Sequence, residues 1–416
     1  MGWILAHITI VHVLLRKVTA MIPRRRANLH PRLRRDIRQW MQMPRPESEA
    51  ALREWERRFA DYVGMPDAAA LHSGRRALML AVEHMGLQRG DEMIVPAYTF
   101  GEILLPIQAL GIRLIPADID PATLNATPES IAARITSRTR AILALHLFGV
   151  PCRISEIMDM AAARGIGVVE DCAHALGSSV AGRHVGTFGQ AALFSFEMSK
   201  PVNTFGGGML VGRDPALLAR ARAANDREPL SHAALFRKIR ATQFEQFLFR
   251  SRLAFPLLYL LSTPSCRDAM NRLYRRSQDV HRSHERYSAV RAHLGLRELE
   301  TLDERLQVRR RRAAQYRQML RNDIRCQEIG DGIETTCYFF VAVLPCDAVA
   351  VRRRLLFKGI DAGAEEEIMD NCAAMLGYRD CPNVDRVFRR AIALPMYDGI
   401  TEDAVSRVAE AVNASI

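Results

Sequence analysis

The chain has 416 residues, enough for two α/β lobes or for one large domain with a smaller one. Hydrophobic residues make up 49% of the sequence and charged residues 25%, which is the balance of a soluble globular protein. The net charge of +12 favours anionic partners, but no helix-turn-helix, zinc-finger or aromatic RNA-binding motif accompanies it. We therefore expect no nucleic acid among the partners.

Arginine supplies nearly all of the positive charge, a bias typical of genome composition. Only four of the 58 basic residues are lysine: Lys17, Lys200, Lys238 and Lys358. The eight cysteines form no CxxC pair and have no regular spacing. This usage indicates free thiols in a reducing cytoplasm, so we predict a cytoplasmic protein without a metal site.

Residues 1–20 are predicted to be an N-terminal extension. Trp3–Leu15 is apolar but too short to span a bilayer as a helix. Arg16 and Lys17 follow this run, whereas a secretory signal has its basic residues first. We expect Met21 to be the natural start, and a membrane-surface tether is the alternative.

Between about residues 70 and 212, short apolar segments alternate with helical ones, which is typical of a mainly parallel sheet covered by helices. The predicted strands are Met93–Pro96, Leu114–Ala117, Ala141–His146, Val168–Asp171, Ala192–Phe196 and Met209–Val211. One predicted helix begins at Thr127-Pro128, a side-chain cap followed by proline. Another covers Ile154–Arg164 and stops at Gly165.

Residues 225–283 break this rhythm. The stretch is rich in Arg and Phe and contains the apolar run Phe247–Leu261, in which two arginines and Pro256 argue against a membrane span. We expect a helical insertion packed on the domain or on a partner subunit. An amphipathic helix that lies on a membrane or closes a substrate pocket is the alternative.

Two helices are predicted in the last third of the chain. A long one runs from about Ala289 to Arg321, with Arg309–Arg312 on its solvated face. Its apolar positions are Leu296, Leu299, Leu302 and Leu306. A final helix opens at Thr401, with acidic residues in its first turn. Its apolar positions are Val405, Val408, Ala409 and Val412.

Two strand ends carry the residues with the clearest chemistry. Asp171 ends a predicted strand, where ligands gather in open parallel sheets, and a shielded carboxylate there can keep a pyridinium nitrogen protonated. That protonated ring is the electron sink of pyridoxal chemistry. Lys200 follows the strand Ala192–Phe196 and can form a Schiff base with a cofactor aldehyde.

A phosphate-binding cup is predicted beside them. Ser73-Gly74 precedes a helix expected from about Arg76, and free backbone N–H groups at a helix start bind phosphate. Ser195 can add a hydroxyl to this cup. Phe100 can stack on one face of a cofactor ring, and Ala173 leaves room on the other.

In order and spacing these segments resemble the DegT/StrS family of pyridoxal-phosphate sugar aminotransferases. The most specific similar stretches are HSGRRALMLAVEHMGLQRGDEMIVPAYTF (72–100) and GVVEDCAHALGSSVAGRHVGTFGQAALFSFEMSK (167–200). The resemblance covers nearly the whole chain except 1–20 and 225–283. It implies the α/β, aspartate-aminotransferase-like (type I) fold. Residues 21–264 would form the large pyridoxal-phosphate domain with its mainly parallel sheet, and residues 265–416 a smaller C-terminal α/β domain.

The resemblance also implies roles for individual residues. Lys200 matches the lysine that holds the cofactor and moves a proton between substrate and cofactor, and Asp171 matches the pyridinium partner. His174 stands where the family has Gln or His near the cofactor hydroxyl, and Phe100 matches the stacking aromatic. The phosphate-binding positions are Gly74, Arg75, Arg76 and Ser195. Since the family's active site lies at a homodimer interface, a homodimer is implied.

Three positions differ from the family. Arg75 stands where the family usually has threonine. His284-Glu285-Arg286 replaces an Asn-Tyr-Arg segment whose Asn reaches the partner's phosphate, so His284 is the candidate for that contact. Gly363–Glu367 begins the segment that usually carries Tyr-Pro and a substrate-facing His. These differences bear on the substrate more than on the cofactor.

The implied function is transfer of an amino group from glutamate or glutamine to a nucleotide-linked ketosugar, for surface-polysaccharide or amino-sugar biosynthesis. One alternative is a cyclitol, or a lipid-linked ketone or aldehyde, as acceptor, which would bring weak contact with a membrane surface. Another is a cofactor-binding regulator without turnover. Lys200 argues against the family's dehydratase branch, in which histidine replaces this lysine.

Overall fold

The computed structural model of the chain describes residues 21–27, 29, 32–250 and 285–416. A seven-stranded sheet forms the centre of residues 68–212. Its strands are β1 (Ala68–Leu71), β2 (Glu92–Pro96), β4 (Arg113–Ala117), β5 (Thr139–Leu145), β6 (Gly167–Asp171), β9 (Ala191–Ser195) and β10 (Gly208–Gly212). Short strands also form beside this sheet: β3 (Tyr98–Thr99), β7 (Ser179–Val180) and β8 (Arg183–His184).

The strand order of the large sheet is β1-β10-β9-β6-β5-β2-β4. The neighbours from β9 to β4 are parallel, and β10 lies antiparallel between β9 and β1. The mainly parallel sheet and all six predicted strands are thus confirmed. β1 was not predicted, because its Ala-Ala-Ala-Leu sequence lacks the β-branched and aromatic residues that favour strands.

Helices cover both faces of this sheet, as buried parallel strands require. The helices of this part are α1 (Leu33–Met41), α2 (Arg45–Val63), α3 (Gly74–His84), α4 (Leu105–Ala109), α5 (Pro128–Ala132), α6 (Ile154–Ala162), α7 (Pro215–Arg227) and α8 (Ala233–Arg250). The expected start of α5 is confirmed, since the Thr127 side chain accepts a hydrogen bond from the Ser130 N–H and Pro128 is the first helical residue. The helix predicted from Ile154 is α6, and Gly165 beyond its end has a φ of 62°.

A second, smaller antiparallel sheet lies in the C-terminal part, with the order β11-β13-β16-β14. The strands are β11 (Arg325–Cys326), β12 (Ile333–Glu334), β13 (Phe340–Val343), β14 (Gly363–Ala364), β15 (Asp370–Asn371) and β16 (Ala391–Leu394). The helices are α9 (Ala289–Glu300), α10 (Leu302–Met319), α11 (Ala348–Phe357), α12 (Cys372–Met375), α13 (Pro382–Arg390) and α14 (Glu402–Asn413). α14 begins after Thr401 and buries its four predicted apolar positions.

The single long helix predicted for 289–321 is wrong in one respect, because Thr301 interrupts it and separates α9 from α10. Thr301 has a φ of −112° and a ψ of 8°, outside the helical range. The expected apolar stripe nevertheless continues across the break, with Leu299, Leu302 and Leu306 buried.

The solvated face predicted for Arg309–Arg312 holds only for Arg311, which is exposed, and is wrong for the other three arginines. Arg309 is 5% exposed and donates from Nε to Asp398 Oδ1 at 2.6 Å. Arg310 donates to the Thr335 carbonyl, and Arg312 to the Ile400 carbonyl. A run of basic residues cannot reveal that the chain later returns with carbonyls and a carboxylate to face it.

The insertion is described as far as residue 250. α8 is helical, as expected, and packs Leu235 and Ile239 against Leu33 and Ile37 of α1. Residues 1–20, the remainder of the insertion and the expected boundary between residues 264 and 265 lie outside the described residues. The division into domains therefore stays a prediction.

Within the described ranges, no helix combines the length and the apolar character needed to cross a membrane.

Candidate active site

Asp171 lies at the carboxyl end of β6, the central strand of the seven-stranded sheet, and is 4% exposed. Its Oδ1 accepts a hydrogen bond from the Ala173 N–H at 2.9 Å. Burial raises the pKa of Asp171, and the Ala173 N–H and the nearby charge of Lys200 only partly oppose that rise. An ionised carboxylate here is therefore costly unless a cation lies against it.

Lys200 follows β9, and its side chain contacts the aromatic ring of Tyr338. Its Nζ lies 4.5 Å from the centre of the Tyr338 ring, within the range of a cation–π contact. The Tyr338 hydroxyl lies 2.7 Å from the Ser199 Oγ, so the tyrosine also holds the residue next to Lys200. Tyr338 precedes β13 and is 4% exposed. It was not predicted as a site residue, because 338 is far from the motifs and a Tyr between Cys and Phe has no chemical signature.

The His174 ring stacks on the ring of Tyr338. The ring centres of His174 and Tyr338 are 4.3 Å apart, with an angle of 18° between their planes. Burial, and then the charge of Lys200, lower the pKa of His174 well below its usual value, so the ring is neutral. The Phe148 N–H donates to Nδ1 at 3.4 Å. The ring proton therefore resides on Nε2, which is the tautomer that can donate to a ligand.

The residues predicted for the phosphate cup meet where α3 begins against the end of β9. The Ser73 side chain accepts from the Arg76 N–H at 3.2 Å and caps α3, which starts at Gly74. A Cβ at Gly74 would lie 3.2 Å from the Phe194 carbonyl oxygen and 3.6 Å from the Ser195 Cβ. Only a residue without a side chain fits comfortably here, and its absence leaves the helix N-terminus close to Ser195.

The two arginines at the cup point in different directions. The Arg75 Nη1 lies 3.7 Å from Glu102 Oε2, in the segment that follows Phe100. The Arg76 Nη1 lies 3.6 Å from Glu83 Oε1, further along α3. Only the backbone of Arg76 is therefore at the cup, while the Arg75 side chain lies between the cup and the Phe100 segment.

Phe100 follows β3 and is held in place by the C-terminal part of the chain. β15 pairs with β3, and the Asp370 Oδ2 accepts from the Gly101 N–H at 2.8 Å. The Cys372 N–H donates to the Ala97 carbonyl at 2.8 Å. This segment continues from the Gly363–Glu367 stretch noted in the sequence, so the stretch that departs from the family also braces the stacking candidate. His284 lies outside the described residues.

A second buried polar cluster lies behind Asp171. Among the described residues, His146, Glu170 and Cys172 are the one group of three with metal-ligand atoms within 4.8 Å of one another. The Glu170 carboxylate already accepts from His146 Nε2 at 3.1 Å and from the N–H groups of Gly186, Phe188 and Gly189 at 2.7–2.8 Å. Burial acts to raise the pKa of Glu170, but His146 and these N–H groups lower it. The cluster is satisfied by the protein itself and braces the strand end that carries Asp171.

The structure brings most of the predicted residues into two adjoining groups. Asp171, Ala173, His174 and Lys200 surround one position, and Gly74, Arg75 and Ser195 surround the start of α3. Both groups lie at the carboxyl ends of β6 and β9, where open α/β sheets bind ligands. Their roles toward a cofactor stay predictions.

The known proteins that the chain resembles belong to a family of aminotransferases. The sequence profile of the DegT/DnrJ/EryC1/StrS aminotransferase family matches residues 32–413. GDP-perosamine synthase from Escherichia coli O157:H7 is 37% identical over 169 residues, 41% of this chain and 46% of that protein, so the chain spans about half the length of this relative. The putative pyridoxal phosphate-dependent aminotransferase EpsN of Bacillus subtilis (strain 168) is 29% identical over 379 residues, 86% of this chain and 85% of that protein.

Solved structures agree in fold. The crystal structure of the aminotransferase TlmJ from Streptoalloteichus hindustanus superimposes with a TM-score of 0.74 at 25% identity, over 95% of this chain and 98% of that one.

Proposed function

Since the chain belongs to the DegT/DnrJ/EryC1/StrS aminotransferase family, we propose that it transfers an amino group from glutamate or glutamine to a nucleotide-linked ketosugar. The product would be an amino sugar for a surface polysaccharide or a related metabolite. GDP-perosamine synthase, at 37% identity, supports a nucleotide-linked sugar as substrate. EpsN, which matches over most of both chains, supports pyridoxal phosphate-dependent amino transfer.

One observation carries the proposal. The buried carboxylate of Asp171, whose pKa is raised by burial, has the charge of Lys200 near it, and Lys200 lies on the ring that stacks with His174. A buried acid and an amine held together at the end of a parallel sheet are costly unless they serve a ligand. This favours an enzyme over a regulator without turnover.

The donor set fits pyridoxal phosphate. Asp171 offers a shielded anion for the protonated ring nitrogen, and the neutral His174 offers an Nε2–H for the ring hydroxyl. The start of α3 with Gly74 and Ser195 offers backbone N–H groups and a hydroxyl for the phosphate. When bound, the cofactor supplies an electron sink that stabilises negative charge at the substrate carbon.

The chain's own residues then orient the reaction and move protons. With the cofactor bound, the Lys200 amine would accept a proton from the substrate carbon and return it to the cofactor carbon, as a general base and acid. Tyr338 keeps that amine on one face of the site through its ring, and its hydroxyl fixes Ser199. Asp171 would supply the negative charge that keeps the ring nitrogen of the bound cofactor protonated.

The proposal extends to assembly and location. We assign the chain to homodimers in the cytoplasm, in which His284 is the candidate for a contact with the partner's cofactor phosphate. Residues 21–264 and 265–416 are the proposed large and small domains. Free thiols at all seven described cysteines support a reducing compartment.

The first test is the absorption spectrum of the purified protein with added pyridoxal phosphate, before and after excess L-glutamate. We expect a visible cofactor band that survives gel filtration and is bleached by glutamate. Lys200→Ala should abolish the bleaching. Lys358→Ala is the matched control, since the Lys358 side chain bonds Ser415 near the C-terminal residue, and it should behave as the wild type.

Two outcomes would contradict the proposal. A retained band that ignores both glutamate and glutamine would exclude ordinary transamination. No retained cofactor would refute the site itself. If bleaching occurs, amine transfer to a nucleotide-linked ketosugar is then compared with transfer to a cyclitol ketone, and preference for the cyclitol would overturn the proposed acceptor.

A further inference from the structure

The outward face of α8 has an unusual composition. The exposed positions on this helix include Phe236, Phe244 and Phe247, with 37%, 65% and 67% of their surface accessible. Arg237 and Arg240 are also exposed. At about 100° per residue these five positions fall within about 100° of arc, so they form one stripe along the helix. We call this set the α8 stripe. It contains no acidic residue.

The opposite side of α8 is firmly attached. Leu235 and Ile239 are buried against α1, and Lys238 Nζ contacts both carboxylate oxygens of Glu197 at 2.7 and 2.8 Å. Glu197 lies three positions before Lys200 in the sequence. The stripe is therefore displayed on a fixed support that adjoins the catalytic loop, and it is not the exposed side of a loosely packed segment.

Positive charge extends beyond α8. The Arg34 Nη2 of α1 donates to Gln243 Oε1 at 2.5 Å, so α1 lies alongside. Arg35 and Arg38 are exposed on the same helix as Arg34. Three large aromatic side chains on α8, with arginines on the same helix and Arg34 of α1 beside them, make a surface that is complementary to a partner both apolar and anionic.

A second copy of the chain fits this surface poorly. In an isologous dimer the same patch meets itself, which would place the stripe arginines of one protomer against those of the other. With a net charge of +12, the chain as a whole adds to that repulsion. An anionic bilayer surface satisfies both features, because phenylalanine enters the boundary between headgroups and acyl chains while arginine reaches lipid phosphate.

We propose that the α8 stripe docks the enzyme on an anionic membrane surface. Docking through a peripheral stripe is compatible with the described helices, none of which spans a membrane. It would bring the loop of Glu197 and Lys200 close to the lipid, because Lys238 of α8 pairs with Glu197.

The experiment is flotation of the cofactor-loaded, full-length protein with vesicles. One set contains phosphatidylcholine alone and the other phosphatidylglycerol and phosphatidylcholine in equal parts. We expect flotation with the anionic vesicles only, weakened by added salt because salt screens the arginine contacts. F244S/F247S and R237Q/R240Q should each lower binding at least about tenfold. The matched controls are R311Q/R407Q and L105S/L110S, which remove exposed residues elsewhere and should bind as the wild type.

Absence of flotation with anionic vesicles would overturn the proposal. So would flotation that both stripe variants retain, since the contact would then lie elsewhere in the chain. If the wild type does not float and the stripe variants convert a dimer to a monomer in sedimentation, the surface is an interface between copies. Circular dichroism and cofactor retention of each variant verify that a loss of binding is not a loss of folding.

Discussion

Asp171 combines two requirements that conflict in the absence of cofactor. Burial raises its pKa, so the ionised carboxylate destabilises the folded protein at neutral pH, yet the proposed chemistry needs that charge. A group whose folded-state pKa lies above its unfolded value stabilises the fold least at high pH. The site therefore stores instability that a bound pyridinium would relieve.

Asp171→Asn should therefore stabilise the cofactor-free protein at pH 7 and above, because the amide cannot ionise. Below about pH 3, where the carboxyl is protonated in both the folded and the unfolded states, the wild type and the variant should converge. Thermal unfolding midpoints across this pH range provide the measurement. With pyridoxal phosphate the order should reverse, because the cofactor stabilises the wild type more. A variant less stable than the wild type at pH 8 without cofactor would contradict this account.

We propose that Tyr338 positions Lys200 and His174 through its ring and Ser199 through its hydroxyl. Tyr338→Phe keeps the ring and loses one hydrogen bond worth about 1 kcal/mol, so kcat should fall by less than about tenfold. Tyr338→Leu also removes the ring contact, worth about 0.5–2 kcal/mol, and kcat should fall further with little change in KM for glutamate. Steady-state kinetics of both variants check this, and equal losses in the two would refute the role of the ring.

At the scale of elements, α3 links helix capping to ligand binding. Its cap residue Ser73 fixes the first turn, in which Gly74 and the N–H groups of the proposed cup lie. The last helix, α14, has an equivalent cap at Thr401, which accepts from the Ala404 N–H at 3.2 Å. Both caps stabilise the first turn of a helix by one side-chain hydrogen bond. Only the cap at Ser73 lies at the proposed cofactor site.

Ser73→Ala and Thr401→Ala should each lower the free energy of unfolding by about 1 kcal/mol. Only Ser73→Ala should also weaken the affinity for pyridoxal phosphate, by several-fold, because it loosens the turn that would hold the phosphate. Urea unfolding and fluorescence titration with the cofactor separate the two effects. If both variants bind the cofactor equally well, the start of α3 is not the phosphate site.

Helices and strands were predicted best where the spacing of the apolar residues and the capping or turn residues at the ends indicated the same element. All six predicted strands form, and the caps at Thr127 and Thr401 mark real helix starts. β1 was missed because alanine carries no strand preference, although the alternation of Ala69 and Leu71 with Ala68 and Ala70 between two cores sets its faces. The environments of Arg309 and Tyr338 depend on distant segments that meet only in three dimensions. The local pattern therefore predicted that Asp171 and Lys200 lie at or after strand ends, but not that Lys200 contacts the Tyr338 ring.

At the scale of the molecule, the carboxylate of Asp398 connects α10 to the segment that precedes α14. Asp398 accepts from Arg309 Nε at 2.6 Å and from Arg305 Nη1 at 2.8 Å, and all three side chains are largely buried. Burial acts to raise the pKa of Asp398, but Arg309 and Arg305 outweigh it and the pKa is lowered. Its stabilising contribution is therefore present above about pH 4 and lost as pH falls through the lowered value.

Asp398→Asn should lower the free energy of unfolding at pH 7 by about 2–3 kcal/mol, because two buried guanidinium groups lose their shared counter-charge. The variant should also lose part of the acid-dependent decline in stability below pH 4. Asp323→Asn is the control, since Asp323 pairs with Arg321 at an exposed site and should change stability by less than about 1 kcal/mol. Urea unfolding at several pH values tests both variants. If Asp398→Asn destabilises the protein no more than the control does, Asp398 does not have this stabilising role.

The antiparallel insertion of β10 between β9 and β1 has a consequence for the order of events during folding. β1 opens the segment that builds the large sheet and β10 closes it, and Ser73 at the end of β1 meets Gly207 in a bridge just before β10. Pairings between distant segments form slowly, because the loop between them must first be ordered. We therefore expect the contacts around Gly74 and the loop of Lys200 to be completed late in the formation of the sheet. Cofactor capture during refolding would then report the moment at which the last strand docks.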